Sequence, residues 1–210
     1  SEDAALTDAL RLSEGMTYKN AAAGLPLGGG KAVIMGDASA KTSAQLLTFA
    51  RAINTLEGEY WTAEDMGMSP ADMSLLATET KFVAGLPDGP HASGDPSPIT
   101  ARGIFESIKV TAKHQLGSAD LTGRTVAVQG LGHVGTYLCE FLHKAGAKLI
   151  LADINAKRVA ELATKYDAQT AGPNDILTVK ADILAPCAIG AILNADSIAN
   201  LNVAAVCGGA

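Results

Sequence analysis

The 210-residue sequence predicts an α/β protein of two domains: a mixed α/β first domain and a second domain built on a doubly wound parallel sheet. Three observations predict it. From residue 125 onward, apolar runs of strand length alternate with longer helical patterns, the rhythm of βαβ units. The glycine-rich turn Gly130-Leu-Gly132-His-Val-Gly135 follows the first of those strands and opens the next helix. Between the halves, residues 84–98 hold four prolines and three glycines, which excludes a regular element and puts the boundary there, with domains 1–96 and 97–210.

Each element has its own signal. Residues 2–18 carry Ala5, Leu6, Ala9, Leu10, Leu12 and Met16 at helical spacing. Lys31-Ala-Val-Ile-Met35 reads as a short buried strand. Thr42 caps a helix with Leu46, Leu47, Ala50, Ile53 and Leu56, stopped by Gly58. Tyr60-Trp-Thr62 reads as a short strand entering the polar turn Ala63-Glu-Asp-Met-Gly67. Ser69-Pro70 starts a helix to about Thr80, with Met73, Leu76 and Ala77 inward, and Ser97-Pro98 starts another to about Leu116, carrying Ile99, Gly103, Ile104, Ile108 and Ala112. Strands are expected at 125–129, 147–152, 182–185 and 203–206, and helices at 133–145 and 155–166.

Bulk properties exclude several classes. The formal net charge of −6 argues against nucleic acid or an anionic membrane as partner. No apolar run reaches membrane-span length and no signal peptide opens the chain. Cys139, Cys187 and Cys207 are odd in number and sit in apolar settings, which reads as buried free thiols in a reducing, cytoplasmic compartment. No metal site is expected. The first residue is Ser1 and the last apolar run stops at a glycine turn, so the chain reads as a piece of a longer protein.

Residues 15–31 concentrate the chemistry of the first half. Lys19 and Lys31 bracket small residues and the triple glycine Gly28-Gly-Gly30, with no acid between them. Glycines there can take positive φ and approach a ligand closely. An ammonium behind such a loop can hold a carboxylate as a point charge, or be desolvated and lose its proton more easily. Two lysines in one pocket can do one job each, and each lowers the other's proton affinity.

In the second half the glycines match a dinucleotide fingerprint of Rossmann type. Gly130 allows the tight turn, Gly132 the approach of a pyrophosphate and Gly135 close helix packing. Asp153 ends the second strand about twenty residues on, where an acid binds the ribose hydroxyls and repels a 2′-phosphate, favouring NAD over NADP. Asn155, Lys157 and Arg158 are the neighbours that could act the other way. His133 and Val134 in the turn, and Ile154 beside Asp153, are counted with the cofactor-binding residues; His133 is expected to be exposed and not a catalyst.

Taken in order, several segments resemble the glutamate, leucine, phenylalanine and valine dehydrogenase group, leucine dehydrogenase most. They are Gly15-Met-Thr-Tyr-Lys-Asn-Ala-Ala-Ala-Gly24, Leu27-Gly-Gly-Gly-Lys31, Thr62-Ala-Glu-Asp-Met-Gly67, Gly94-Asp-Pro-Ser-Pro98, the fingerprint, and Ala181-Asp-Ile-Leu-Ala-Pro-Cys-Ala188. The resemblance implies that Lys19 binds the substrate carboxylate, Lys31 is the catalytic lysine and Asp65 the proton carrier. It also implies that Thr100 lies close to the nicotinamide and that Ala185, Pro186 and Cys187 form the loop beside the cofactor. The group's N-terminal Gly-Gly-Thr-Arg stretch and its later Asn-Asn-Gln-Leu stretch have no match here. The group forms homo-oligomers through its first domain.

The implied activity is NAD-dependent reversible oxidative deamination of an aliphatic, branched-chain L-amino acid to the 2-oxo acid and ammonia. Glutamate would need a further cation for its side chain, and Ala63 resembles leucine-type members, narrowing the pocket. Phenylalanine or valine dehydrogenase of the same group, and a non-catalytic NAD-binding fragment, are the alternatives. A 2-hydroxy-acid dehydrogenase would want a histidine–carboxylate pair, which His91, His114, His133 and His143 do not suggest.

Overall fold

The computed structural model describes residues 1–89, 92–188 and 192–209, in two compact units, Ser1–Pro96 and Ser97–Ala210. His91 lies outside the described residues.

The first unit is mainly helical. Helix α1 (Glu2–Ala22) is capped by Ser1, whose hydroxyl accepts from the Ala4 N–H at 3.3 Å. It continues past Gly15 and carries Lys19 into its last turn, further than the apolar pattern predicts. None of its side chains is buried. Helix α2 (Ser43–Asn54) starts in a capping box between Thr42 and Gln45, and α3 (Pro70–Leu76) in one between Ser69 and Asp72, with proline in the first turn. Leu46 and Ala50 of α2 pack on Met73 and Leu76 of α3 and on Val83, which forms the core of this unit.

Three expectations for this half are corrected. Residues 31–35 form no strand: Val33, Ile34 and Met35 are exposed and no described strand lies alongside. A strand exists only through its ladder partners, and an apolar run by itself does not supply them. Tyr60–Thr62 is likewise reduced to a single parallel bridge between Thr62 and Val83. Helix α3 stops four residues before Thr80, which leaves Ala77 exposed at its C-cap.

The second unit holds α4 (Ser97–Leu116), β1 (Thr125–Gln129), α5 (His133–Lys144), β2 (Lys148–Ala152), α6 (Ala156–Tyr166), β3 (Gln169–Thr170), β4 (Ala181–Pro186), α7 (Ala195–Ala199) and β5 (Val203–Val206). Ser97 is already helical, and Ile99 and Gly103 are exposed; the buried stripe is Ala101, Ile104, Phe105, Ile108 and Ala112. β3 and α7 are too short to show as periodic patterns in the sequence.

The sheet is parallel throughout, in the order β3-β2-β1-β4-β5. Val126 and Val128 of β1 face a core shared with Ile108, Leu138 and Leu142, while Ala127 faces a second core with Ile150, Leu184 and Ile176. Both faces are covered, as parallel sheets require. From β1 the chain winds outward to β2 and β3, then returns to place β4 and β5 on the other side. The ends of β1 and β4 therefore flank the point where winding reverses, the place where open α/β sheets bind ligands.

Candidate active site

In the first unit, close contacts bring Lys31 to Asp65. The triple glycine runs directly over α1. A Cβ on Gly29 would stand 2.0 Å from the Ser13 carbonyl oxygen and 2.3 Å from the Thr17 nitrogen, and one on Gly30 would stand 2.7 Å from the Tyr60 ring. None of the three glycines uses the positive φ open to it; at Gly29 and Gly30 the lack of a side chain serves close approach. Asn20, one residue past Lys19, donates from Nδ2 to the Gly28 carbonyl at 2.5 Å.

Lys31 Nζ pairs with Oδ2 of Asp65. The other Asp65 oxygen accepts from the Met66 N–H at 2.7 Å. The loop bearing Asp65 is fixed at both ends. Thr62 donates its N–H to Phe82 and accepts from Ala84, while Lys41 Nζ donates to the Gly67 carbonyl at 2.6 Å and to Asp72 at 2.5 Å. The Lys31 side chain is 23 % exposed and that of Asp65 54 %. Burial, and then the charge of Lys19, push the Lys31 ammonium below its usual pKa; the carboxylate of Asp8, and that of Asp65 with which Lys31 pairs, work against them. Lys19 is exposed and Ala63 is exposed between Thr62 and Asp65.

In the second unit the fingerprint glycines divide by role. Gly130 has φ +90° and sits so tightly that a Cβ would meet the Ala188 nitrogen at 2.5 Å. A Cβ on Gly135 would fall 1.9 Å from the Gly130 carbonyl oxygen. At Gly132 it would meet nothing within 4 Å. That open cradle at the start of α5 fits a pyrophosphate, which helix N–H groups favour. Asp153 follows β2 and turns back to the loop: Oδ2 accepts from the Leu131 N–H at 2.6 Å and Oδ1 from the Asn155 N–H at 2.7 Å.

His133 and Ile154 are exposed, Ile154 at 92 %, and Val134 is half-buried. Thr100 is exposed in the first turn of α4. Ala185 and Pro186 are buried at the end of β4; of the three expected loop residues it is Cys187 that lies against Gly130, donating its N–H to the Gln129 carbonyl at 2.6 Å. Burial raises the pKa of the Cys187 thiol. Cys139 is buried, with its pKa pushed up to about 12, and Cys207 is half-buried; all three cysteines are free. His114 is exposed, and the His143 and Tyr166 rings meet at a tilt of 41° with centroids 5.0 Å apart.

Four residues that sequence reasoning passed over or left unassigned join these sites. Asp8 lies eleven residues before Lys19, three helical turns, and so shares its face of α1; that spacing was the available signal. Lys41, Thr136 and Arg158 act through tertiary contacts that no spacing announces.

The second unit is an α/β domain with a doubly wound parallel sheet and a glycine-rich strand-to-helix turn, preceded in sequence by a unit with a paired lysine and aspartate. Two family models cover most of the chain: the Glu/Leu/Phe/Val dehydrogenase dimerisation domain over residues 1–82, and Glutamate/Leucine/Phenylalanine/Valine dehydrogenase over residues 93–157. The chain belongs to this family. It is 49 % identical to leucine dehydrogenase of Geobacillus stearothermophilus over 211 aligned positions, covering all of this chain and 58 % of that protein. The crystal structure of L-tryptophan dehydrogenase from Nostoc punctiforme matches with a TM-score of 0.76 and 40 % identity, covering 100 % of this chain and 60 % of that one. Hetero-hexameric glutamate dehydrogenase from Thermus thermophilus matches in fold, with a TM-score of 0.73 and 20 % identity over 97 % of this chain and 55 % of that chain. The chain thus spans well under two thirds of the length of these relatives. Among the described residues no helix is long and apolar enough to cross a membrane.

Proposed function

We propose that the protein carries out NAD-dependent, reversible oxidative deamination of a branched-chain L-amino acid, with leucine preferred. The observation that carries this reading is the Lys31–Asp65 pair, with Lys31 held below its ordinary pKa by burial and by Lys19.

The two lysines divide the work. Exposed Lys19 offers a charged ammonium to the substrate carboxylate and so fixes the position of Cα. Lys31, more easily neutral, takes a proton from the water that attacks the imine carbon. Asp65, in contact with Lys31, moves protons to and from the departing nitrogen. The fingerprint turn and Asp153 would hold the dinucleotide, whose nicotinamide would supply the acceptor for the hydride on Cα. Both Asp153 oxygens keep an acceptor direction for the ribose hydroxyls, and the carboxylate repels a 2′-phosphate. The first unit mediates assembly into a homo-oligomer.

The test is growth of NADH absorbance with leucine, valine, phenylalanine, tryptophan and glutamate, on this chain and on the full-length protein. Leucine is expected to give the highest kcat/KM. The 49 % identity to a leucine dehydrogenase supports the aliphatic choice, and 41 % identity to an L-tryptophan dehydrogenase of Nostoc punctiforme makes an aromatic substrate the competing outcome. Hydrophobic pockets discriminate by about 1–3 kcal/mol per methylene, so overlap between leucine and valine is expected. A preference for an aromatic substrate refutes the assignment of substrate. NADH formation with none of these amino acids by the full-length protein refutes the activity.

A further inference from the structure

Leu131, the second residue of the glycine-rich turn, is gripped at both backbone polar groups. Its N–H donates to Asp153 Oδ2 at 2.6 Å. Its carbonyl accepts from the Thr136 hydroxyl at 3.0 Å and from Nη1 of Arg158 at 3.1 Å. Its side chain is fully buried. The end of β2, helix α5 and the first turn of α6 therefore converge on one residue.

The grip has a directional consequence. Among the described residues no peptide bond is cis. In a trans peptide the carbonyl and the following N–H point in opposite directions. Holding the Leu131 carbonyl toward Thr136 and Arg158 aims the Gly132 N–H the other way, at the residue whose Cβ position is open. Asp153 sets the preceding peptide plane in the same manner. With the Leu131 N–H on Asp153, the Gly130 carbonyl points oppositely, toward Gly135. Two consecutive planes of the turn are thus oriented from beneath.

We propose that Arg158 is a positioning residue for the dinucleotide pyrophosphate: its guanidinium holds the Leu131 carbonyl, and through that peptide it presents the Gly132 N–H to the phosphates. This rests on the reading that the turn binds NAD. An arginine five residues after Asp153 could instead serve a 2′-phosphate, but here the guanidinium is turned onto a carbonyl of the loop. Thr136 supplies a second, neutral donor to the same oxygen. Loss of Arg158 therefore leaves the carbonyl satisfied but less restrained, and the fold survives.

The test is calorimetric titration of this chain with NAD and with NADP, for the unmutated protein and for Arg158→Ala, Arg158→Lys and Asp153→Ser. A charge-assisted hydrogen bond from an exposed guanidinium corresponds to a weakening of NAD binding of about tenfold in Arg158→Ala. NADP affinity is expected to fall by the same factor, the melting midpoint to stay put, and Arg158→Lys to recover part of the loss. If Arg158→Ala binds NAD as before while Asp153→Ser does not, the positioning role is wrong and the NAD reading stands. A loss confined to NADP overturns the proposal in favour of a 2′-phosphate contact. If the unmutated chain binds no NAD, or Asp153→Ser changes nothing, the NAD reading itself fails and takes the proposal with it.

Discussion

Gly29→Ala tests how Lys31 is aimed. A Cβ at this position would stand 2.0 Å from the Ser13 carbonyl oxygen, 2.3 Å from the Thr17 nitrogen and 2.5 Å from the Thr17 hydroxyl. Ordinary contact begins near 3.4 Å, so a gap of about 1.4 Å has to be opened. Two of the three obstacles are backbone atoms in the middle of α1, which cannot swing aside as a side chain would. The loop has to lift, and Lys31 lies two residues on. Overpacking of this kind costs about 1–3 kcal/mol of stability. A misplacement of about 1 Å at the reacting groups costs about 100-fold in rate. The expected result in full-length protein is a lowered melting midpoint and a kcat reduced about 100-fold, with NAD affinity unchanged. Gly28→Ala is the control: nothing lies within 4 Å of its added Cβ, so rate and melting midpoint stay near those of the unmutated protein. A Gly29→Ala enzyme with an undiminished kcat refutes the idea that close packing on α1 sets the lysine.

Further outcomes follow from the same geometry. Lys31→Ala should abolish turnover while calorimetric NAD binding persists; retention of most of the rate removes Lys31 from the mechanism. If neutral Lys31 is the base of the proposed deamination, kcat/KM should rise with pH through the Lys31 pKa. Asp8 raises that pKa, so Asp8→Asn should shift the rising limb to lower pH, whereas Lys19→Ala, which removes a lowering charge, should shift it higher. Shifts in the same direction, or none, contradict the assignment of that limb to Lys31. Asp153→Ser should weaken NAD and relatively favour NADP, and it should cost about 1–3 kcal/mol of stability by stranding the Leu131 N–H. An undisturbed melting curve would count against the hydrogen bond, and an undisturbed cofactor ratio against the ribose contact.

The second half was far more legible in sequence than the first. Val126, Val128, Leu149 and Leu151 sit in strands covered on both faces, so their apolar runs announce themselves, and Gly130, Gly132 and Gly135 mark the turn between strand and helix. Residues 31–35 carry the same kind of run, but strand formation depends on a neighbour, which composition cannot report. Lys19 and Lys31 stood out because the residues between them carry no acid. Asp65 gained meaning only from family resemblance, because a carboxylate in a turn is ordinary until a lysine 34 positions away is seen to meet it. Arg158 drew attention for its charge alone; that it reaches back 27 residues to a carbonyl depends on the packing of α6 beside β2.

Asp153 carries a consequence for how such a protein could change its diet of cofactors. The carboxylate belongs to the loop as much as to any ligand: one oxygen holds Leu131 and the other holds Asn155. If the turn holds a dinucleotide as proposed, a lineage drifting toward a phosphorylated nucleotide could not simply trade this acid for a small neutral residue, because the same step slackens that turn. A replacement donor–acceptor arrangement for Leu131 would have to come first, or a compensating change soon after. Cofactor preference at this position is therefore harder to evolve than a single contact to a ribose would suggest, and engineering it calls for paired substitutions.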